Sequence, residues 1–457
     1  MVGNVNGDTL VPMQMAWNTR VNPAAWETFQ WSRVASLLDI SWFWVAEGWG
    51  LGWRPALLIY TSLTTAGLSL CLALIASRLT ASSMHDMAPR AALAILLLVL
   101  PLTILHLTFG LKLQGFLQTF LPESHGNGLM LALLAAGLRP ERRLLLFLVC
   151  VIGTVSDLLF IFWYALPLIL AGHIAGPDTF RNAKPWVSAA LGSIVGVFLR
   201  HLMFMQEVFS VSLQERLRTA PELLATLFQG EMAWLILIGT VFLLTMTVRA
   251  FRLDRTSLQS LLLAQGSLSA LAALGITALG WVDHAGWRYA MPALWWPIAA
   301  GLGLLPPPQR WLGLSALGGA ATLAPLTLPP LLHWRSPTEV CLARIPGLKA
   351  GLADYWQSRE IEASANWQRQ IATIDQDGAP LVLANNVALY WQDARAGGHP
   401  AQFNYIVVDS RLNAAALRAR YGAPTRIIPC PDADIWTYRS RLTPMPLKDQ
   451  LNWLRLR

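Results

Sequence analysis

Hydrophobic positions dominate the chain from Arg54 to Leu331, in runs of the roughly 20 residues that a helix needs to cross a hydrocarbon core of about 30 Å. The runs at 54–77, 91–112, 158–174, 186–204, 231–248, 256–280, 291–306 and 311–331 predict membrane-spanning helices. Two shorter runs, 128–138 and 144–156, flank the basic turn Arg139-Pro140-Glu141-Arg142-Arg143. Each is short for an independent span, so they form either a re-entrant hairpin or two tilted helices. After Leu331 the pattern changes to a mixed polar one. Strands are expected at Ile371–Asp375, Leu381–Leu383, Tyr405–Asp409, Arg426–Ile428 and Asp434–Tyr438, with helices over 349–360 and 411–421. The expected fold is an α-helical polytopic membrane protein of about 8–10 spans with a C-terminal soluble α/β domain. Its expected divisions are an outside N-terminal segment with interfacial helices (1–53), a transmembrane domain (54–331) and the α/β domain (332–457).

Composition agrees with this pattern. The chain is 54% hydrophobic and 13% charged, about half the charge of a soluble domain, which excludes a single soluble globule. From Arg335 onward lie 15 of the 34 basic and 11 of the 26 acidic residues, leaving 19 and 15 before it. So small and dispersed an excess indicates loop orientation and no nucleic-acid partner. If the short runs count as two crossings, the Arg-bearing loops 78–90, 139–143, 181–184, 249–255 and 307–310 all fall on one side, the cytoplasmic one. Residues 1–50 and the tail then fall on the other, the periplasmic side of a bacterial inner membrane. Met1 to Pro12 lack the basic and apolar regions of a signal peptide, so the chain begins in an outside loop, either translocated with the first span or preceded by a further helix encoded upstream. Trp42, Trp44, Trp49 and Trp53, and the pair Trp295-Trp296, sit beside predicted interfaces, as an aromatic belt does; sugar stacking is the alternative.

Of four cysteines, Cys71 and Cys150 fall inside apolar runs. Cys341, before the first tail helix, and Cys430, after a strand, are disulfide candidates if the tail is periplasmic, closing a loop of about 90 residues; otherwise they are buried thiols. No Walker loop, G-x-G-x-x-G, H-E-x-x-H or Cys/His ligand spacing is present. The polar residues near the outer face remain. Asp8 stands in the Gly/Asn-rich stretch Asn4–Pro12, and Asp39 precedes an aromatic run. Glu123 and His125 share the loop Pro122–Gly128, Asp157 follows the second short run, and Arg288-Tyr289 precede Pro292.

These features resemble the GT-C glycosyltransferases, polytopic enzymes that take a sugar from a polyprenyl-phosphate carrier on the outer face of the membrane. The resemblance is carried by Gly7-Asp8-Thr9 in the first outside loop, Glu123 and His125 in a second, the late Arg288-Tyr289-x-x-Pro292, the α/β tail, and the tail string Gly347–Trp356. Asp8 has no adjacent acid, so a divalent metal has no support and no cofactor is expected beyond the lipid-linked sugar itself; the first helix usual in that superfamily is absent before Asp8, which points to a start further upstream. The resemblance implies inverting transfer to a periplasmic glycan, lipid or protein, with Asp8 taking the proton of the incoming hydroxyl. Arg288 would pair the departing phosphate, and Asp39, Glu123, His125, Asp157 and Tyr289 would line the substrate site.

Each residue has a plainer alternative. Asp8 suits a turn or helix start and Arg288 a snorkelling interfacial position. Glu123 and His125 suit a solvated loop. Asp157 suits a cap of the following helix, and if buried it needs a cavity or a partner. The competing functions are a transporter or flippase of a lipid-linked or small polar substrate, and a non-catalytic scaffold.

Overall fold

The computed structural model describes residues 7–23, 25–30, 36–80, 90–91, 93–94, 121–122, 125–139, 141–175, 185–203, 218, 221, 231–254, 257–279, 289–305, 335–382, 385–391, 401–446 and 449. Two compact units emerge. One comprises Met1–Arg33, Asp39–Leu57 and Leu328–Arg457, so the two ends of the chain fold together; the other comprises Val34–Leu38 and Leu58–Thr327. The predicted spans 91–112 and 311–331 lie almost wholly or wholly outside the described residues.

The N-terminal segment forms α1 (Gly7–Val21), α2 (Ala25–Thr28), the short strand β1 (Phe29–Gln30) and α3 (Leu37–Gly48). Apolar helices follow: α4 (Trp53–Leu79), α5 (Gly126–Gly137), α6 (Arg143–Ser156), α7 (Leu166–Ala175), α8 (Pro185–Met203), α9 (Glu231–Leu253), α10 (Leu258–Leu279) and α11 (Met291–Leu304). Among the described residues, three helices are long and apolar enough to cross a membrane: α4, 236–253 of α9 and 258–278 of α10.

α5 and α6 are separate packed helices joined by a short turn. At 1.5 Å per residue they measure about 18 and 21 Å, less than a hydrocarbon core. Both C-termini are covered from outside, as unpaired terminal carbonyls require. Arg78 of α4 donates to the Ala136 and Leu138 carbonyls, and Arg200 of α8 donates to the Val155 carbonyl at 2.8 Å. α6 and α8 approach closely because Gly192 and Gly196 present no side chain. A Cβ on Gly192 would stand 2.7 Å from Phe147 O and from Cys150 Cβ, and one on Gly196 would stand 2.7 Å from Thr154 Cβ. This is the small-residue spacing by which helices pack in lipid. The opposite stripe of α8, with Leu191, Ile194, Phe198 and Leu202, is exposed, as are Trp234, Ile238 and Val241 along α9.

The other unit is built on a five-stranded sheet whose order is β3 (Ile371–Thr373), β2 (Ala350–Ala353), β5 (Phe403–Val408), β7 (Asp434–Leu442) and β6 (Arg426–Pro429). β2 runs parallel to β3 and β5; β7 is antiparallel to β5 and β6. Both faces are buried. Leu352, Ile406 and Trp436 point to one side, and Ala353, Tyr405, Val407 and Ile435 to the other. α12 (Pro337–Leu342), α13 (Tyr355–Ser364) and α14 (Ala414–Tyr421) start at Ser336, Asp354 and Asn413, whose side chains accept backbone N–H bonds. Gly422, at φ 82°, ends α14.

Three sequence expectations change. The helix expected over 349–360 is strand β2 followed by α13. Asp354 caps the helix and postpones it to Tyr355, and Gly351 admits the Tyr405 ring, which would come within 2.2 Å of a Cβ there. Leu381 and Val382 form no strand; the adjacent chain makes a single bridge, Ile374 to Pro380, and the Leu381 carbonyl accepts the Tyr390 hydroxyl at 2.7 Å. Cys341 lies inside the first tail helix, α12, and is joined to Cys430 by a disulfide with Cα atoms 6.1 Å apart.

The N-terminal segment is integral to this unit. β1 pairs with β4 (Asn385–Asn386), matching Phe29 with Asn386, and the Thr28 hydroxyl donates to Asn386 Oδ1 at 2.7 Å. α1 packs on α13 through a buried polar network: Arg359 donates to Gln14 Oε1, and Gln14 Nε2 donates to Glu362 at 2.6 Å. Glu362 in turn accepts the Ile371 N–H at 3.1 Å, and Trp53 Nε1 donates to the Ala363 carbonyl at 2.9 Å.

Candidate functional site

In the helical unit the chemistry gathers where the α5–α6 pair opens. α6 ends at Ser156, Asp157 follows in extended conformation, and α5 begins just after His125. The two side chains meet there. His125 Nδ1 and Asp157 Oδ2 are 2.6 Å apart, and both side chains are about 95% buried. The other Asp157 oxygen accepts the Leu159 N–H at 2.9 Å, so the residue caps the following turn and binds His125 together. Its carboxylate rests on the first turn of α5, where a Cβ on Gly128 would stand 2.8 Å from Oδ2. A helix N-terminus favours negative charge there.

His125 has φ 68°, a left-handed conformation unfavourable for a residue with a side chain. Its ring is flanked by Tyr289, with centroids 5.0 Å apart, and by Trp163 edge-on at 6.0 Å. Trp163 comes from a π-helical segment, Ile161–Ala165, and its carbonyl accepts the Ser269 hydroxyl at 2.7 Å. Beside the dyad, Asn127 Nδ2 donates to the Tyr60 hydroxyl at 2.9 Å and to Ser36 Oγ at 3.4 Å. Two buried ring nitrogens, His125 Nε2 and Trp163 Nε1, meet no hydrogen-bond partner among the described residues.

Of the residues singled out in the sequence, His125, Asp157 and Tyr289 therefore come together. The solvated-loop alternative for His125 is overturned by its burial. Glu123 and Arg288 lie outside the described residues. Asp8 and Asp39 belong to the other unit. Asp8, half-buried in the first turn of α1, accepts the Tyr355 hydroxyl at 2.9 Å through Oδ1, and Asp39 is buried in the first turn of α3. Among the described residues no group of three or more potential ligands is placed to hold a metal.

A second polar cluster lies at the C-terminal ends of β2 and β5. Arg411 reaches Asp354 at 3.4 Å and Asp409 at 3.1 Å. Burial, then the nearby Asp409 charge, pushes the Asp354 carboxyl up to about 6, against the opposing Trp356 N–H and Arg411. Glu360 on α13 is pushed up by burial to about 7.

Tyr60, Trp163 and Arg200 escaped the sequence reading, and Asn127 and Gly128 entered it only as part of the loop Pro122–Gly128. The Gly192-x-x-x-Gly196 spacing was a usable signal for the α6–α8 contact that Arg200 completes, but a tryptophan inside an apolar run carries none. No protein-family model, curated protein or solved structure matches this chain.

Proposed function

We propose that the protein is an integral-membrane glycosyltransferase of the GT-C kind. It takes a sugar from a polyprenyl-phosphate donor and passes it to a hydroxyl of a glycan, lipid or protein at the outer face of a bacterial cytoplasmic membrane. The observation that supports this reading is the joint folding of the Asp8-bearing segment with the α/β domain, while the described residues between them are largely apolar helix with exposed Leu, Ile, Phe and Trp. Exposed apolar stripes of that extent suit lipid contact. A unit assembled from both chain ends suits acceptor recognition beside the membrane, and Asp8 is held there by Tyr355. Arg288 pairs the donor phosphate in this reading.

Proton-coupled transport is the second reading, favoured by the burial of His125 and Asp157 inside the helical unit, where ionisable pairs serve as relays. The two separate in one experiment. Membranes containing the full chain are given radiolabelled polyprenyl-phosphate sugars, and transfer of label to an acceptor is the expected result, reduced at least about tenfold in Arg288→Ala at equal expression. Absence of transfer, with substrate-driven proton movement in sealed vesicles, would replace the enzyme by a transporter.

A further inference from the structure

Within the sugar-transfer reading, on which this inference rests, we propose that His125, oriented by Asp157, is the group that accepts the proton of the incoming hydroxyl. Asp8, whose Oδ1 accepts the Tyr355 hydroxyl, is the rival candidate. The dyad has the parts that a general base needs. A carboxylate 2.6 Å from Nδ1 holds the ring, and a hydrogen on Nδ1 leaves the Nε2 lone pair to take the proton. Asp157 is itself immobilised by the Leu159 N–H and by contact with Gly128, so it cannot swing away. The ring is held by Tyr289 and Trp163, and its Nε2 is buried without a partner among the described residues.

Two energetic costs fall on this one residue. An unpaired buried polar atom costs about 1–3 kcal/mol, and a left-handed non-glycine backbone costs about the same. A purely structural role would remove both with a glycine at 125 and an apolar residue at 157. Their coexistence points to a substrate atom that completes the bonding of Nε2. Trp163, whose ring packs edge-on to His125, carries a second buried donor, Nε1, without a partner among the described residues.

The step balances without a metal. The acceptor O–H proton passes to Nε2 while its oxygen forms a bond to the anomeric carbon. The bond from that carbon to the phosphate oxygen breaks, and its electron pair leaves with the polyprenyl phosphate. Asp157 balances the imidazolium charge until the proton passes to water.

The test uses the full chain in membranes. His125→Gly suits the left-handed backbone, so it deletes the ring without adding strain and leaves space for free imidazole. The expected result is kcat lowered at least about 100-fold with KM changed less than about threefold, partial recovery of at least about tenfold on adding imidazole, and a comparable loss in Asp157→Asn. His125→Gly within about threefold of wild-type kcat, or no recovery with imidazole while Asp8→Asn abolishes transfer, would overturn the assignment and return the proton to Asp8. If the wild type transfers no sugar, the sugar-transfer reading fails separately. The dyad is then read by ¹⁵N resonances of histidine-labelled protein in nanodiscs. Hydrogen on Nδ1 in the wild type, displaced in Asp157→Asn, supports an oriented free Nε2, and hydrogen on Nε2 in the wild type removes it.

Discussion

Asp354 serves two purposes that conflict. Its carboxylate caps α13 by accepting the Trp356 N–H at 2.8 Å, which favours the ionised form, yet it is buried beside Asp409, which opposes ionisation. Burial wins and holds the folded carboxyl at about 6, above its ordinary 3.8. Between those values the folded chain keeps a proton that the unfolded chain has lost. Stability from this group is therefore full at low pH, declines as pH rises towards 6, and is level above; Glu360 extends the decline to about 7. The α/β unit should resist opening more at pH 5 than at pH 7.5. Asn caps a helix about as well as Asp, so Asp354→Asn should keep α13 intact, flatten this dependence, and add about 1–2 kcal/mol at pH 7.5. Hydrogen exchange of amides 355–364 in the full chain, corrected for intrinsic rates, measures both. Faster exchange in the variant at pH 7.5 would mean that the lost Arg411 pair outweighs the relief of burial.

Among the elements, the α6–α8 contact is the one on which the dyad most depends, because α6 delivers Asp157 and Arg200 of α8 covers the carbonyls just before it. Gly192→Leu or Gly196→Leu should force these helices apart at a cost of about 1–3 kcal/mol and, in the proposed sugar-transfer reading, depress transfer with it. Ile194→Leu, on the exposed stripe, should change stability by less than about 0.5 kcal/mol. Thermal loss of the monodisperse peak in detergent reports the first, and equal melting of glycine and surface variants would refute the packing argument. The helices themselves were legible because runs of apolar residues near 54–77, 186–204 and 256–280 leave few alternatives, and the tail strands at 405–409 and 434–438 because β-branched and aromatic residues dominate them. β2 was not: Ala350-Gly-Leu-Ala353 has weak strand character, and it is held by its pairing with β3 and β5 and by the Tyr405 ring over Gly351. The site was half legible. His125 and Asp157 each stood out as polar residues at the ends of apolar runs, but their pairing across 32 residues follows from how α5 and α6 pack. Trp163 reaches the site through a π-helical turn that no apolar run announces.

At the scale of the whole molecule, the joining of the chain ends restricts how the helices between them would cross a bilayer in the proposed membrane reading. β1 bonds to β4, with Phe29 opposite Asn386, and Gln14 bonds to Glu362, so residues 7–30 and the α/β domain must occupy the same side. An odd number of crossings between Leu58 and Thr327 would put Phe29 and Asn386 on opposite faces and forbid that pairing. Ten crossings, with α5 and α6 each counted, and eight, with the two as a re-entrant hairpin, both satisfy the condition; treating 144–174 as one long span in place of two does not. Glu27→Cys and Ala419→Cys, at exposed positions of the joined unit, should accordingly react with a membrane-impermeant maleimide from the same side of sealed vesicles. Arg252→Cys, at the exposed end of α9, should react only after permeabilisation if that basic loop is cytoplasmic. The background is low, since Cys71 and Cys150 are buried and Cys341 and Cys430 are bonded to each other. Labelling of Glu27→Cys and Ala419→Cys from opposite sides would break the joint unit and, with it, the joint folding of the N-terminal segment with the α/β domain that supports the sugar-transfer reading.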